Sequence, residues 1–260
     1  MERPTALITG ASSGIGYELA RVFAANGFDL VVTARREDRL ADLAAGLPSG
    51  CRVKVVPVDL SKAKGPARLL AAVKEAGLEI DVLVNNAGIA ATGPFQSLSR
   101  DQVREMLQVN LRALTELTQG VLPDMIARGR GRILNVASVT AFQAVPGMSL
   151  YAATKAFVLS FTEGLSEDLR GTGVTVTALC PGLTRTEMVS QVQGLDLAGP
   201  FAASARDVAL EGYRACMAGE VVRVPGLLNQ AMVSWVQYQP RWLVRLFSGA
   251  MARSTFSRGN

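Results

Sequence analysis

The chain has 260 residues, 49% of them apolar and 19% charged, with 27 Lys and Arg against 22 Asp and Glu for a formal net charge of +5. That length can bury a sizeable core, and that balance fits a compact globular protein rather than a disordered one. There is no histidine, which excludes Ser-His-Asp triads, Cys-His pairs and most zinc sites and leaves proton chemistry to Tyr, Lys, Asp, Glu, Ser or Cys.

In chain order, short β-branched runs predict strands at Thr5 to Thr9, Leu30 to Thr33, Val53 to Val58, Val82 to Val84, Ile133 to Val136 and Val174 to Leu179. Between them, helical periodicity marks Ile15 to Asn26, Asp101 to Gln119 and Ala152 to Arg170. Strands alternating with helices predict an α/β fold, a doubly wound parallel sheet with helices on both faces, because parallel strands need crossover connections. The strands are apolar nearly throughout, as expected when neither face is wet. No repeat, linker or composition break precedes about residue 225, so residues 1–260 read as one domain. The segment from Leu183 to Ser204 mixes Gly, Gln and small residues after the sixth strand, where an open sheet places its ligand crevice, and is expected to form a substrate lid.

The first strand delivers Thr9-Gly10-Ala11-Ser12-Ser13-Gly14-Ile15-Gly16 and then a helix. Glycines allow a tight turn and close backbone approach to a pyrophosphate, and the helix N-terminus offers free N–H groups and a positive dipole end. The spacing is G-x-x-x-G-x-G rather than G-x-G-x-x-G, and no P-loop lysine follows. About twenty residues further on, where an acid would bind the ribose 2′-hydroxyl of NAD, stand Arg35 and Arg36, with Glu37 and Asp38 only after them. A guanidinium can hold a 2′-phosphate by paired charge-assisted hydrogen bonds, which favours NADP(H) over NAD(H). Arg35 is the expected ligand; Arg36 is either a second contact or a cap on the following helix.

Asn85-Asn86-Ala87-Gly88 follows the fourth strand, Asn110 lies within a helix, Ser138 follows the fifth strand, and Tyr151-Ala152-Ala153-Thr154-Lys155 opens the next helix. Residues four apart share a helix face, so the Tyr151 hydroxyl and the Lys155 ammonium can point into one pocket. Free tyrosine titrates near about 10; a nearby ammonium, joined by a cationic nicotinamide when the cofactor is oxidised, is expected to lower that value.

These motifs, in this order and together with Asp59-Leu60 and with Pro181-Gly182 and Thr186, resemble the short-chain dehydrogenase/reductase family. The likeness runs from about Pro4 to Met188 and more loosely to Pro225. It implies a seven-stranded Rossmann sheet with NADP(H) across the strands' C-terminal edge. Gly10, Ser12, Ser13, Gly14, Ile15 and Gly16 would cradle the pyrophosphate. Asp59 and Leu60 would flank the adenine, and Asn86, Ala87 and Gly88 would line its ribose. Pro181, Gly182, Thr184 and Thr186 would cover the nicotinamide. In the catalytic set, Tyr151 would be the general acid/base, Lys155 would lower its pKa and hold the nicotinamide ribose, and Ser138 would orient the substrate oxygen. Asn110 would sit where its helix is locally opened, keeping a water that links Lys155 to solvent.

The expected activity is reduction of a ketone or aldehyde on a hydrophobic molecule, with a 3-oxoacyl or 3-ketolipid reductase as the alternative. A non-catalytic NADP sensor or scaffold is the reading from another class, disfavoured because a sensor needs no proton donor. The resemblance also implies a homodimer or homotetramer. Cys51, Cys180 and Cys216 are odd in number and widely spaced, so buried thiols are expected. Scattered basic residues argue for a solvated surface and against nucleic acid. Without an apolar run of the roughly 18 residues that span a bilayer, and with Met1 to Pro4 leading straight into a strand, the chain is expected to be cytoplasmic. From about residue 226 to 258, Trp235, Tyr238, Trp242 and Leu246 alternate with Arg241, Arg245, Arg253 and Arg258. Packing on a subunit partner or over the lid is the preferred role there, and contact with a membrane surface the other.

Overall fold

The computed structural model describes residues 3–187 and 202–256. Strand β1 (Thr5–Thr9) leads into helix α1 (Gly14–Ala25), and the alternation continues through β2 (Asp29–Thr33), α2 (Glu37–Ala45), β3 (Val53–Val55), α3 (Gly65–Glu75) and β4 (Val82–Asn85). Helices α4 (Arg100–Leu107) and α5 (Leu114–Ala127) are joined by a π-helical turn, Gln108–Ala113. There follow β5 (Gly131–Val136), α6 (Ser149–Asp168) and β6 (Val174–Leu179). A short ribbon pairs β7 (Thr184–Arg185) with β8 (Ala203–Ser204). The chain then forms α7 (Ala205–Ala218), β9 (Val222–Arg223), α8 (Leu227–Tyr238) and α9 (Arg241–Phe256).

Seven strands make one parallel sheet in the order β3-β2-β1-β4-β5-β6-β9. The expected seven-stranded Rossmann architecture is therefore what forms. The alternation of side chains explains why the strands read as unbroken apolar runs. Ala6 and Ile8 of β1, Val82 and Val84 of β4, and Leu134 and Val136 of β5 pack with Leu19 and Phe23 of α1. Their neighbours Leu7, Leu83 and Ile133 point the other way, against Leu69 of α3 and Leu117, Val121 and Met125 of α5. Each face thus has its own core, and a sheet covered twice leaves no polar side to its strands.

The strand order reverses between β1 and β4, which opens a crevice beyond the C-terminal ends of both strands. Behind it a buried polar ladder crosses the sheet. Asn85 Nδ2 donates to Asn135 Oδ1 at 2.9 Å and to Thr118 Oγ1 at 3.0 Å, and Asn135 Nδ2 donates to Thr162 Oγ1 at 2.9 Å. The ladder ties the end of β4 to α5, β5 and α6, the elements that carry the site.

Three elements differ from their sequence expectation. β3 stops at Val55 rather than Val58, because Pro57 has no N–H to continue the ladder after Val56 N reaches Val32 O. The helix expected over Asp101 to Gln119 runs to Ala127, past Pro123, because Val121 and Met125 continue its buried stripe. The segment expected as a lid has its two ends tied by the β7–β8 ribbon, and its middle, residues 188–201, lies outside the described residues. No helix among the described residues is long and apolar enough to cross a membrane.

Candidate active site

The cleft at the strand reversal, about 420 Å³, takes one wall from the β1–α1 turn. Gly10 and Gly14 hold φ of +68° and +59°, a region in which a side chain is strained. Gly10 N donates to Thr33 O at 2.9 Å, so the turn hangs from β2. A Cβ on Gly14 would stand 3.1 Å from Thr186 Cγ2, which shows how closely that threonine crosses to the start of α1. The N-cap of α1, Ser13, makes no side-chain capping bond and no acid occupies the first turn. By contrast α4 is closed by a reciprocal Ser99–Gln102 capping box. An uncapped, positively poled helix end facing a cleft suits an anionic pyrophosphate.

A second wall comes from the turn after β4. Thr9 Oγ1 accepts from the backbone N–H groups of Asn86 and Ala87, each at 3.0 Å, and donates to Val84 O. Asn86 Nδ2 donates to Thr9 O and Gly10 O at 2.9 and 3.2 Å. Asn86 therefore braces the glycine turn as well as lining the cleft. Gly16 stands behind the wall, where a Cβ would run into Asn86 Nδ2 and Gly10 O.

At the far end Arg35 and Arg36 separate in role. Arg36 Nη2 forms an ion pair with Glu187 Oε2 at 2.8 Å and donates to Ser12 Oγ at 3.3 Å. The Arg36 hydrogen bond, with its charge and a bond from Ser13, holds the Glu187 carboxyl below its ordinary value despite slight desolvation. Arg35 is exposed on the cleft wall and makes no hydrogen bond or ion pair among the described residues. Asp59 and Leu60 sit beside it. Burial opposes ionisation of Asp59, but hydrogen bonds from Ser61 and the charge of Arg35 outweigh it and keep the carboxyl below the usual range.

The inner end carries the polar cluster. Lys155 is 5% exposed, and its Nζ donates to Val136 O at 2.7 Å. It lies 5.7 Å from the centre of the Tyr151 ring, so the pair four residues apart does meet in one pocket. Tyr151 and Ser138 share a hydrogen bond, and Ser138 Oγ also accepts from Thr140 N at 3.1 Å. Asn110 sits in the π-helical turn, the local opening expected of it. It accepts from Ile89 N at 2.8 Å and donates to Ile89 O and Thr154 Oγ1 at 2.9 and 3.0 Å. Asn110 stands behind the cleft surface. Gly88 lies between: a Cβ there would be 3.5 Å from Lys155 Nζ and 3.6 Å from Asn110 Oδ1, so the glycine leaves a methyl-sized space between ammonium and amide.

The expected lowering of the tyrosine's pKa counts on a bound oxidised nicotinamide as well as the ammonium; the chain's own groups act in the other direction. Burial pushes the Tyr151 phenol up to about 12, against the opposing Ser138 hydrogen bond. Burial also brings the Lys155 ammonium down to about 8, while Cys180 pulls it the other way. Desolvation governs both groups, and the ammonium is committed to the Val136 carbonyl. Burial takes the Cys180 thiol up to about 12, in keeping with a packed thiol rather than a nucleophile.

The roof is the turn after β6. Pro181 O accepts from Val139 N at 2.9 Å, Thr184 Oγ1 donates to Gly182 O at 3.0 Å, and Thr186 Oγ1 donates to Thr184 O at 3.4 Å. Asn229 of α8 sits directly on Gly182, where any Cβ would collide with it. The structure thus brings every proposed contact to one cleft or its backing. Sequence reasoning passed over Ile89, Glu187 and Asn229, and quoted Thr9 at the head of the first motif without giving it a role.

Residues 4–194 match the model of a family described as short chain dehydrogenase. Sulfoacetaldehyde reductase 2 of Chromohalobacter salexigens is 41% identical over 194 residues, 74% of this chain and 77% of that protein. A short-chain dehydrogenase from Sphingobium yanoikuyae, solved in complex with NADPH, superposes with a TM-score of 0.80 at 35% identity, covering 92% of this chain and 97% of that one. A short chain dehydrogenase/reductase from Burkholderia phymatum, solved in complex with NAD, gives a TM-score of 0.78 at 28% identity, covering 90% and 92%.

Two substitutions probe the cluster. Tyr151→Phe removes the one group placed to give up a proton beside Ser138, and kcat should fall on the order of 10²- to 10⁴-fold with cofactor affinity retained. Near wild-type turnover in steady-state assays would contradict that role. Gly88→Ala puts a methyl into the Lys155–Asn110 space at ordinary contact distance, so the melting temperature should hold while kcat drops about tenfold. Unchanged kcat would mean that the space carries no proton traffic.

Proposed function

The chain belongs to the short-chain dehydrogenase/reductase family and is an NAD(P)-dependent oxidoreductase of alcohol and carbonyl groups; from that premise we propose that it works as an NADPH-dependent reductase of a ketone or aldehyde on a hydrophobic molecule. The observation that carries the cofactor preference is the division within the arginine pair. Arg36 is tied to Glu187, whereas Arg35 stands exposed at the end of β2 with no carboxylate paired to it among the described residues. A 2′-phosphate would find there a guanidinium held by no ion pair among the described residues, and a 2′-hydroxyl would find Arg35 rather than an acid at the end of β2.

The uncapped α1 end, the glycine turn and the cleft running from Arg35 to Tyr151 fit a dinucleotide, with Gly14 and Ile15 at the pyrophosphate and Lys155 at the inner ribose. When bound, the nicotinamide supplies the hydride. The chain's own residues do the rest. Ser138 donates to the carbonyl oxygen and fixes its position, and Tyr151 passes its hydroxyl proton to that oxygen as negative charge develops. Lys155, charged and anchored on Val136 O, stabilises the phenolate left behind, and Asn110 holds the opened helix turn against Ile89 beside it.

The substrate end of the cleft supports an apolar partner. Ile89, Ala90 and Ala137 line it, and the cations on the cleft wall are Arg35 and Arg36 at the opposite end and the buried Lys155. A second copy of the chain fits the α6 face, where Phe157 is 42% exposed and stacks on Phe161 at 5.9 Å.

Arg35→Asp should raise the KM for NADPH on the order of 10- to 100-fold while leaving that for NADH nearly unchanged, the scale of a lost charge-assisted hydrogen bond. Parallel steady-state titrations with both cofactors check this. An unchanged preference would make Arg35 a surface charge and nothing more.

A further inference from the structure

The last forty residues differ in charge from the rest. From Val221 to Asn260 there are five arginines, Arg223, Arg241, Arg245, Arg253 and Arg258, and no Asp or Glu. These five account for the whole formal net charge of +5; the remainder of the chain is balanced. Arg223 is consumed within the fold, paired to Glu211 and Glu220 at 3.0 and 3.6 Å. Arg241 and Arg245 are exposed and form no ion pair among the described residues.

The same segment exposes its large apolar side chains. In α8, Val233 and Val236 are buried, but Leu228, Met232 and Trp235, spaced i, i+4 and i+7 on a neighbouring stripe, face outward. Tyr238, at 86% exposure, extends that side. In α9, Val244 is buried while Trp242 and Leu246, one turn apart, are 61% and 58% exposed, and Arg241 and Arg245 flank them. Apolar bodies capped by indole and phenol groups, with arginines along the edge, are the chemistry of a side chain set at a lipid headgroup boundary.

We propose that the outer face of α8 and α9 docks on an anionic phospholipid surface. Charge decides between this occupant and a second copy. Two such faces meeting would set arginine against arginine with no acid to answer either, whereas an anionic bilayer attracts each of them and takes up the aromatic and aliphatic groups. The helix that docks is also the one whose Asn229 rests on Gly182, so the bound lipid surface lies next to the roof of the cleft. This assignment stands whether or not the reductase substrate is apolar.

The full-length protein is sedimented with vesicles of phosphatidylcholine containing about a third phosphatidylglycerol, and with phosphatidylcholine alone. The anionic vesicles should retain it, less so at high salt. Trp242→Ser and the double change Arg241→Glu with Arg245→Glu should each weaken retention about tenfold or more, with NADPH turnover and melting temperature unchanged as proof of folding. Absence of retention, or equal retention of wild type and variants, overturns the proposal. So does a concentration-dependent dimer in gel filtration that Trp242→Ser abolishes while vesicles bind nothing.

Discussion

The burial of one ammonium organises this molecule's chemistry. Lys155 is enclosed between β5 and α6, and its nearest fixed partner is the carbonyl of Val136 rather than a carboxylate. An isolated charge in such surroundings is costly, and the protein meets that cost by lowering the lysine's proton affinity to about 8. Val136 is the last residue of β5, and although pairing on the β6 side runs on, with Ala137 N donating to Leu179 O and Val139 N to Pro181 O, the Val136 carbonyl accepts from Lys155 instead. The end of β5 therefore offers the carbonyl that holds the ammonium, and Tyr151 and Ser138 are brought to it by the first turn of α6 and the turn after β5.

The other parts of the site follow from the same edge. The strand reversal between β1 and β4 leaves room for a long ligand, and the glycine turn is kept open by Thr9 and Asn86 rather than by its own sequence alone. Opening the helix at Asn110 into a π turn lets its amide engage Ile89 on the turn after β4. The two ends of the cleft differ in electrostatics. Arg35 meets solvent at one end, where the proposed phosphate contact would not need a buried cation. Lys155 is dry at the other, 5.7 Å from the centre of the Tyr151 ring.

The parts of this arrangement that depend on local pattern were legible in the sequence. The strands appear where β-branched runs lie, because every run but the edge strand β3, whose Lys54 is exposed, is largely buried on both faces, and the Tyr151–Lys155 spacing placed both groups in one pocket, because four residues make a helical turn. What was missed depends on long-range pairing or on solvation. β9 has two residues, too few for any periodicity, and exists because Ala178 and Cys180 donate to Val221 O and Arg223 O. Glu187 meets Arg36 from 151 residues away, which no local spacing encodes. Burial raises the tyrosine's pKa in the chain itself, a solvation effect that the Tyr151–Lys155 spacing does not encode.

The central claim, that a buried Lys155 sets the charge state of the site, is tested most directly by the pH dependence of kcat/KM for NADPH, which reports the groups of the free enzyme. On the proposed mechanism the ammonium that binds the ribose and stabilises the phenolate is present below about pH 8; above it, the proton is lost and the support with it. The account predicts a break near pH 8 and then a fall of about tenfold per pH unit. A profile flat to pH 10, as an ordinary exposed lysine would give, would contradict it.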